Sequence, residues 1–173
     1  MVFFKRYLQL ESVRNFARLF SSSLIAQGMS FALAPLFSRL YTPEDFGLVA
    51  LYLGIFSIAS VVSTARYEQA IMLPASDQDA RSLGWLVMLI SLGVALISLL
   101  IIGLFHGPII RLSGNAGLGP WLYVLPPALL LHGLYSASTF YANRSKQFGL
   151  MARNTVWQYV WLNMLRLGAG LLK

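Results

Sequence analysis

Arginine is the residue type in this chain best suited to ligand chemistry. Its planar guanidinium presents a fork of donors that matches the oxygens of a phosphate group. Arg166 is the single charge in the apolar stretch 155–172. At about 1.5 Å per residue it lies roughly 16 Å past Thr155, near the middle of a bilayer core. An arginine at that depth costs about 2.5–3.5 kcal/mol and normally faces a bundle interior or an aqueous cavity. Tyr159, Asn163, Arg166 and Gly170 recur at helical spacing and share a face. If the chain ends at Lys173, Arg166 instead reaches out to the far surface.

Two polar stripes mark an earlier helix. Arg14, Arg18 and Ser22 line one, and Ser23, Gln27 and Ser30 line its neighbour. Further hydroxyls follow at Ser57, Ser60, Ser63 and Thr64, and at Ser136, Ser138 and Thr139 beside His132 and Tyr135. Such faces do one of two things. They let helices approach closely, or they line a water-filled cavity. Pro126-Pro127 poses a similar choice, between a broken helix of transporter type and an interfacial kink or a late helix start after Pro120.

Other chemistries find no support. No cysteine is present, and no carboxylate lies near His106 or His132, so neither a metal site nor a cofactor is expected. The sequence holds no nucleophile elbow, phosphate-binding glycine loop, dinucleotide motif or zinc-binding helix. Glu44, Asp45, Asp77 and Asp79 read as helix caps and turn residues. No catalytic residue is assigned, and the chain is not expected to be an enzyme.

The elements that must position these side chains follow from composition. Of 173 residues, 57% are hydrophobic and only 11% charged, against about 25% charged in soluble domains. A globular chain this short cannot bury so much apolar surface. The solvent for most of it is lipid. The formal net charge of +7 is scattered between apolar blocks rather than gathered in a stripe, which argues against nucleic acid. Charge-free runs predict spans at roughly 19–38, 46–65, 83–105 and 121–141, and a run apolar apart from Arg166 predicts a fifth at 155–172, all in a single membrane domain, 1–173. The fold class is therefore all-α, a polytopic transmembrane helical bundle.

The connections between spans carry their own signals. Thr42, Pro43, Glu44 and Asp45 suit a helix start, making the first two spans a tight hairpin. Ser76 or Asp77 suits the cap of the third helix. Gly107-Pro108 and 113–117 punctuate the third connection. With the N-terminus inside, the inner segments hold Lys5, Arg6, Arg14, Arg18, Arg66, Arg81, Arg144, Lys146 and Arg153. The outer loops hold only Arg39 and Arg111. That bias predicts a cytoplasmic N-terminus. Ala32-Leu33-Ala34 is similar to a signal-cleavage motif, but the apolar run before it is too long for a signal peptide and Pro35 follows it directly.

Three stretches carry a family resemblance. They are Ser38-Arg39-Leu40-Tyr41-Thr42-Pro43-Glu44-Asp45-Phe46-Gly47, Ala65-Arg66-Tyr67-Glu68-Gln69-Ala70-Ile71-Met72-Leu73-Pro74 and Tyr141-Ala142-Asn143-Arg144-Ser145-Lys146-Gln147-Phe148. In this order they resemble the N-terminal part of the oligosaccharide and polysaccharide flippases, the lipopolysaccharide O-antigen and exopolysaccharide translocases of the multidrug/oligosaccharidyl-lipid/polysaccharide exporter superfamily. The resemblance implies a two-lobe transporter in the bacterial inner membrane. It implies a substrate, an undecaprenyl-diphosphate-linked glycan, flipped through a cationic cavity between the lobes. The chain looks like an N-terminal portion holding most of one lobe, with the missing C-terminal half as a partner beside membrane lipid.

Within that resemblance, Arg14 and Arg18 on the first helix and Arg66 with Glu68 after the second gather the diphosphate at the inner mouth. Gln27 joins the substrate-facing set, and Arg166 meets the diphosphate deeper in. The alternative for Arg14, Arg18 and Arg66 is headgroup anchoring. Alternatives for the whole chain are a small non-transporting membrane subunit, a drug exporter, or a flippase of the peptidoglycan lipid precursor. A drug/cation antiporter needs an acid inside the membrane, and no predicted span contains one.

Overall fold

A computed structural model describes the backbone of residues 2–172 and the side chains from Val13 to Leu172. Among these residues there are seven helices and no strand. They are α1 Val2–Leu40, α2 Pro43–Thr64, α3 Tyr67–Ala70, α4 Asp77–Ser113, α5 Leu118–Leu122, α6 Leu125–Arg144 and α7 Phe148–Leu171. The architecture is an all-α helical bundle. Three segments are long and apolar enough to cross a membrane: Val13–Leu40, Pro43–Thr64 and Asp77–Ser113.

Local chemistry accounts for the helix ends. α2 opens on Pro43, with Glu44 and Asp45 in its first turn. Proline there forfeits an N–H that would have no partner anyway, and the acids complement the helix dipole. Ser76 caps α4: its hydroxyl accepts from Asp79 N–H at 3.1 Å and donates to the Asp79 carboxylate at 2.7 Å. Gly114, at φ 65, ends α4 in the left-handed region that glycine enters without penalty.

Two element boundaries differ from expectation. The third connection begins at Gly114, not at Gly107. Pro108 bends α4 rather than ending it, leaving Phe105 at φ −116, ψ 18. Proline removes a backbone donor and crowds the carbonyl one turn back, which kinks a helix without stopping it. The span expected at 121–141 is interrupted: α5 ends at Leu122 and α6 begins at Leu125. Pro126 and Pro127 fall in the first turn of α6, where missing N–H groups cost nothing. α6 therefore starts late, after Pro120, and the two prolines open a helix rather than interrupt one from within.

The helices divide into two compact units, Pro43–Arg144 and Met1–Thr42 with Ser145–Lys173. In the first, α4 runs antiparallel to both α2 and α6. Arg144 meets Asp77 at one end, and Leu125 packs with Ile102 towards the other. Between them, Ser91 on α4 donates to Ser63 O on α2 at 2.9 Å and to Val87 O at 2.8 Å. A Cβ placed on Gly133 of α6 would lie 1.9 Å from the Ser91 hydroxyl. These small residues let three helices meet, so here the polar faces serve packing. Outward-facing Leu96, Leu100 and Leu104 are 58%, 62% and 68% exposed, a surface suited to lipid.

Arg144 closes the basic end of this unit. Its guanidinium donates to Pro74 O at 2.6 Å, to Ile71 O and Ala75 O at 3.4 Å, and to Asp77 Oδ1. Only a planar, multi-donor head can tie so many acceptors of one turn to a helix end.

The other unit is a pair of parallel helices. Residues 14–25 of α1 flank 149–156 of α7. Farther along, Ser30 accepts from Asn163 Nδ2 at 3.3 Å. At the far end, Leu40 and Tyr41 pack on Gly170, and the Tyr41 hydroxyl donates to Arg166 O at 2.5 Å. The hairpin expected of the first two spans joins the two units, and the observed helix partner of α1 is α7.

Candidate functional site

The candidate site is an open groove between residues 14–25 of α1 and the N-terminal end of α7. From α1 it takes Arg14, Ala17, Arg18, Ser21, Ser22 and Ile25, and from α7 Gly149, Ala152, Arg153 and Val156. Each set repeats at three- and four-residue steps, which places it on one helix face. The groove encloses about 570 Å³. Gly149, Ala17 and Ala152 leave the room, because small residues keep parallel helices from filling it with side chains.

The lining changes character along the groove. Arg14, Arg18 and Arg153 stand at the end nearest the start of both helices, and Ile25 and Val156 lie farther along. No carboxylate is among the described lining residues. Ser22 spends its hydroxyl on Leu19 O at 2.8 Å, while Ser21 forms no hydrogen bond with another described residue. Three guanidinium groups in one groove raise a positive potential that an anion relieves. Phosphate oxygens suit the planar forks. The apolar end suits a hydrocarbon tail on the same ligand.

The structure brings together two of the residues expected from sequence, Arg14 and Arg18, and adds Arg153. Gln27 lies exposed on α1 outside this lining. Arg166 does not stand midway along its helix. α7 begins at Phe148 rather than Thr155, so Arg166 lies about 27 Å from the start, at the level of Tyr41. Its exposed guanidinium is at the opposite end of the pair from the groove. Asn163, one turn earlier, is spent on packing: it donates to Ser30 Oγ and, at 2.8 Å, to Tyr159 O.

Arg66 and Glu68 belong to the other unit and part company. Ala65 and Arg66 take φ values of 46 and 61, a left-handed pair that turns the chain sharply after α2. The turn leaves the Arg66 side chain exposed and folds Glu68 inward, with carboxylate oxygen Oε2 buried and unpaired. Among the described residues no three His, Asp or Glu side chains gather where a metal would sit.

The polysaccharide biosynthesis protein family matches residues 36–172. The chain belongs to this family. The match runs from the end of α1 through α7 and so includes Arg153, while Arg14 and Arg18 precede it. No curated protein and no solved structure matches the chain. Family membership carries a role in polysaccharide biosynthesis, and membrane-crossing helices make that role one exercised in the bilayer.

Proposed function

We propose that this chain is part of a translocase that moves a lipid-diphosphate-linked oligosaccharide across the bacterial inner membrane. The observation that carries the reading is the groove of Arg14, Arg18 and Arg153, with charged and apolar ends in the order of a lipid diphosphate. The arginines hold the diphosphate, and Ile25 and Val156 border its tail. Arg66 and Arg166, exposed on their own helices, are further candidate contacts for the diphosphate. O-antigen and related surface glycans are the substrate class. A member of a polysaccharide family that crosses the bilayer has this as its natural task.

The helix directions support five crossings. If α1, α2 and α4 cross, the chain after α4 is on the outer side. α7 runs parallel to α1, so it must start on the inner side, and α6 must bring the chain back. α6 has 20 residues, which at about 1.5 Å each matches a hydrocarbon core of roughly 30 Å. The chain contains no cysteine, so single cysteines report sidedness cleanly. Ser145→Cys and Arg14→Cys are expected to react with a membrane-impermeant thiol reagent only from the cytoplasm. Asn115→Cys is expected to react only from outside. Labelling of Ser145→Cys and Asn115→Cys from one side would remove α6 as a span.

Transport itself is tested in a strain that lacks its own glycan translocase. The full-length protein restores surface glycan in this reading. The same protein with Arg14, Arg18 and Arg153 all changed to Gln, expressed at equal level, leaves the glycan lipid inside. Undiminished surface glycan with the triple variant would overturn the assignment of the groove.

A further inference from the structure

A second constellation lies within unit Pro43–Arg144 and shares no residue with the groove. Four rings follow one another across α5, α2 and α6. Trp121 meets Tyr52 edge-on at 6.4 Å between centroids, and Tyr52 stacks with Phe56 at 6.4 Å and 15°. Phe56 meets His132 edge-on at 5.5 Å and 82°. One turn beyond His132 on α6 stands Ser136, on the same face. Gly133 turns instead to Ser91 of α4.

His132 and Ser136 differ from the polar groups around them. Ser57, Ser60 and Ser63 on α2 each donate to a carbonyl one turn back. On α6, Ser138 and Thr139 do the same. These five are satisfied within their own helices. His132 and Ser136 are half-buried and form no hydrogen bond with another described residue. They lie roughly 10 and 17 Å into α6, which in the five-crossing reading is the depth of the bilayer interior. Polar groups there are costly to leave without partners, and they mark substrate pathways.

The surroundings define what a partner must be. Residues 46–65, 83–105 and 121–141, which contribute the neighbouring helix faces, hold no formal charge. An anion finds no counter-charge here. An aromatic face is the negative side of its ring quadrupole and attracts the slightly positive C–H face of a sugar ring. A neutral imidazole offers one donor and one acceptor, and a serine hydroxyl offers both. Rings beside unspent donors and acceptors suit an uncharged, hydroxyl-rich ring and suit neither phosphate nor hydrocarbon.

We propose that Phe56, His132 and Ser136 form a contact site for a neutral sugar ring of the lipid-linked glycan. This deepens the translocase reading and rests on it. Each site then recognises a different part of the ligand's chemistry. The arginine groove takes the diphosphate without regard to the sugar, and the Phe56–His132–Ser136 site takes the sugar without regard to the charge.

The test measures binding to the full-length protein in detergent with two probes. One is undecaprenyl diphosphate carrying a neutral oligosaccharide, and the other is the same lipid without sugar. Wild type binds the glycan-bearing lipid more tightly. His132→Leu with Ser136→Ala weakens that binding tenfold or more and leaves the bare lipid within twofold. His132→Gln, which keeps a donor and an acceptor, retains most of the glycan preference. Because bare-lipid binding reports folded protein, a misfolded variant is recognised by losing both probes, and Phe56→Leu then supplies the same comparison. Equal binding of both probes by wild type, or an unaltered glycan preference in the Leu/Ala variant, overturns the sugar site and leaves the diphosphate groove standing. Binding of neither probe by wild type overturns both readings.

Discussion

Gly133→Ala is expected to destabilise the protein by about 3 kcal/mol, near the upper end of ordinary overpacking costs. The added Cβ would lie 1.9 Å from Ser91 Oγ and 2.5 Å from Ser91 Cβ. Ser91 cannot turn aside freely, because its hydroxyl bridges Ser63 O and Val87 O. α4 and α6 would have to separate, and both hydrogen bonds would be disturbed. Each such bond inside a membrane contributes about 0.6 kcal/mol on average, so the steric clash dominates. For a chain of this size the loss corresponds to roughly 10 °C in melting temperature, measured in detergent. Ser91→Gly in the same chain removes both clashing atoms and is expected to recover most of the loss. Ser91→Ala leaves the Cβ in place and is expected to recover little. A Gly133→Ala protein that melts with wild type would show that the three helices do not meet at this point.

Neutralising the groove is expected to have the largest effect on ligand affinity. A hydrogen bond to a charged group contributes about 1.5–3 kcal/mol, and a tenfold change in affinity corresponds to about 1.4 kcal/mol. Loss of Arg14, Arg18 and Arg153 together is therefore expected to weaken binding of undecaprenyl diphosphate at least a thousandfold. Lysine at all three positions keeps the charge but not the fork, and is expected to restore only part of the loss. The arginines are exposed, so wild-type binding should weaken as salt rises, whereas binding by the neutral variant should not respond. Titration of the lipid at low and high salt measures both effects. Salt-independent binding by wild type would mean that the groove is not where the phosphate is held.

The parts of this fold legible in the sequence were those set by local chemistry. Pro43 with Glu44 and Asp45, the polar turn holding Ser76 and Asp77, and the charge-free runs each announce a helix start or a span without reference to distant residues. What depended on pairing was not legible. Nothing in the sequence near Arg153 says that it stands beside Arg14 and Arg18, because that follows from α7 running parallel to α1. The position of Arg166 along its helix differs from expectation for a related reason. Polar Arg153 and Asn154 suggested a loop before Thr155, whereas α7 carries both in its early turns, with Arg153 turned to the groove. Adjacency in sequence puts Glu68 with Arg66, and two left-handed residues in succession, which no local motif foretells, separate them. The serine faces were ambiguous by nature, since a hydroxyl that bonds its own backbone can face protein, lipid or water equally well.

Movement of a lipid diphosphate through the arginine groove can be followed as transbilayer movement of a fluorescent lipid-linked oligosaccharide, by quenching from outside, in vesicles containing the purified full-length protein. Wild type is expected to speed the movement well above protein-free vesicles, and the protein with Arg14, Arg18 and Arg153 changed to Gln is not. Movement as slow with wild type as without protein, or as fast with the triple variant as with wild type, would contradict movement through the groove.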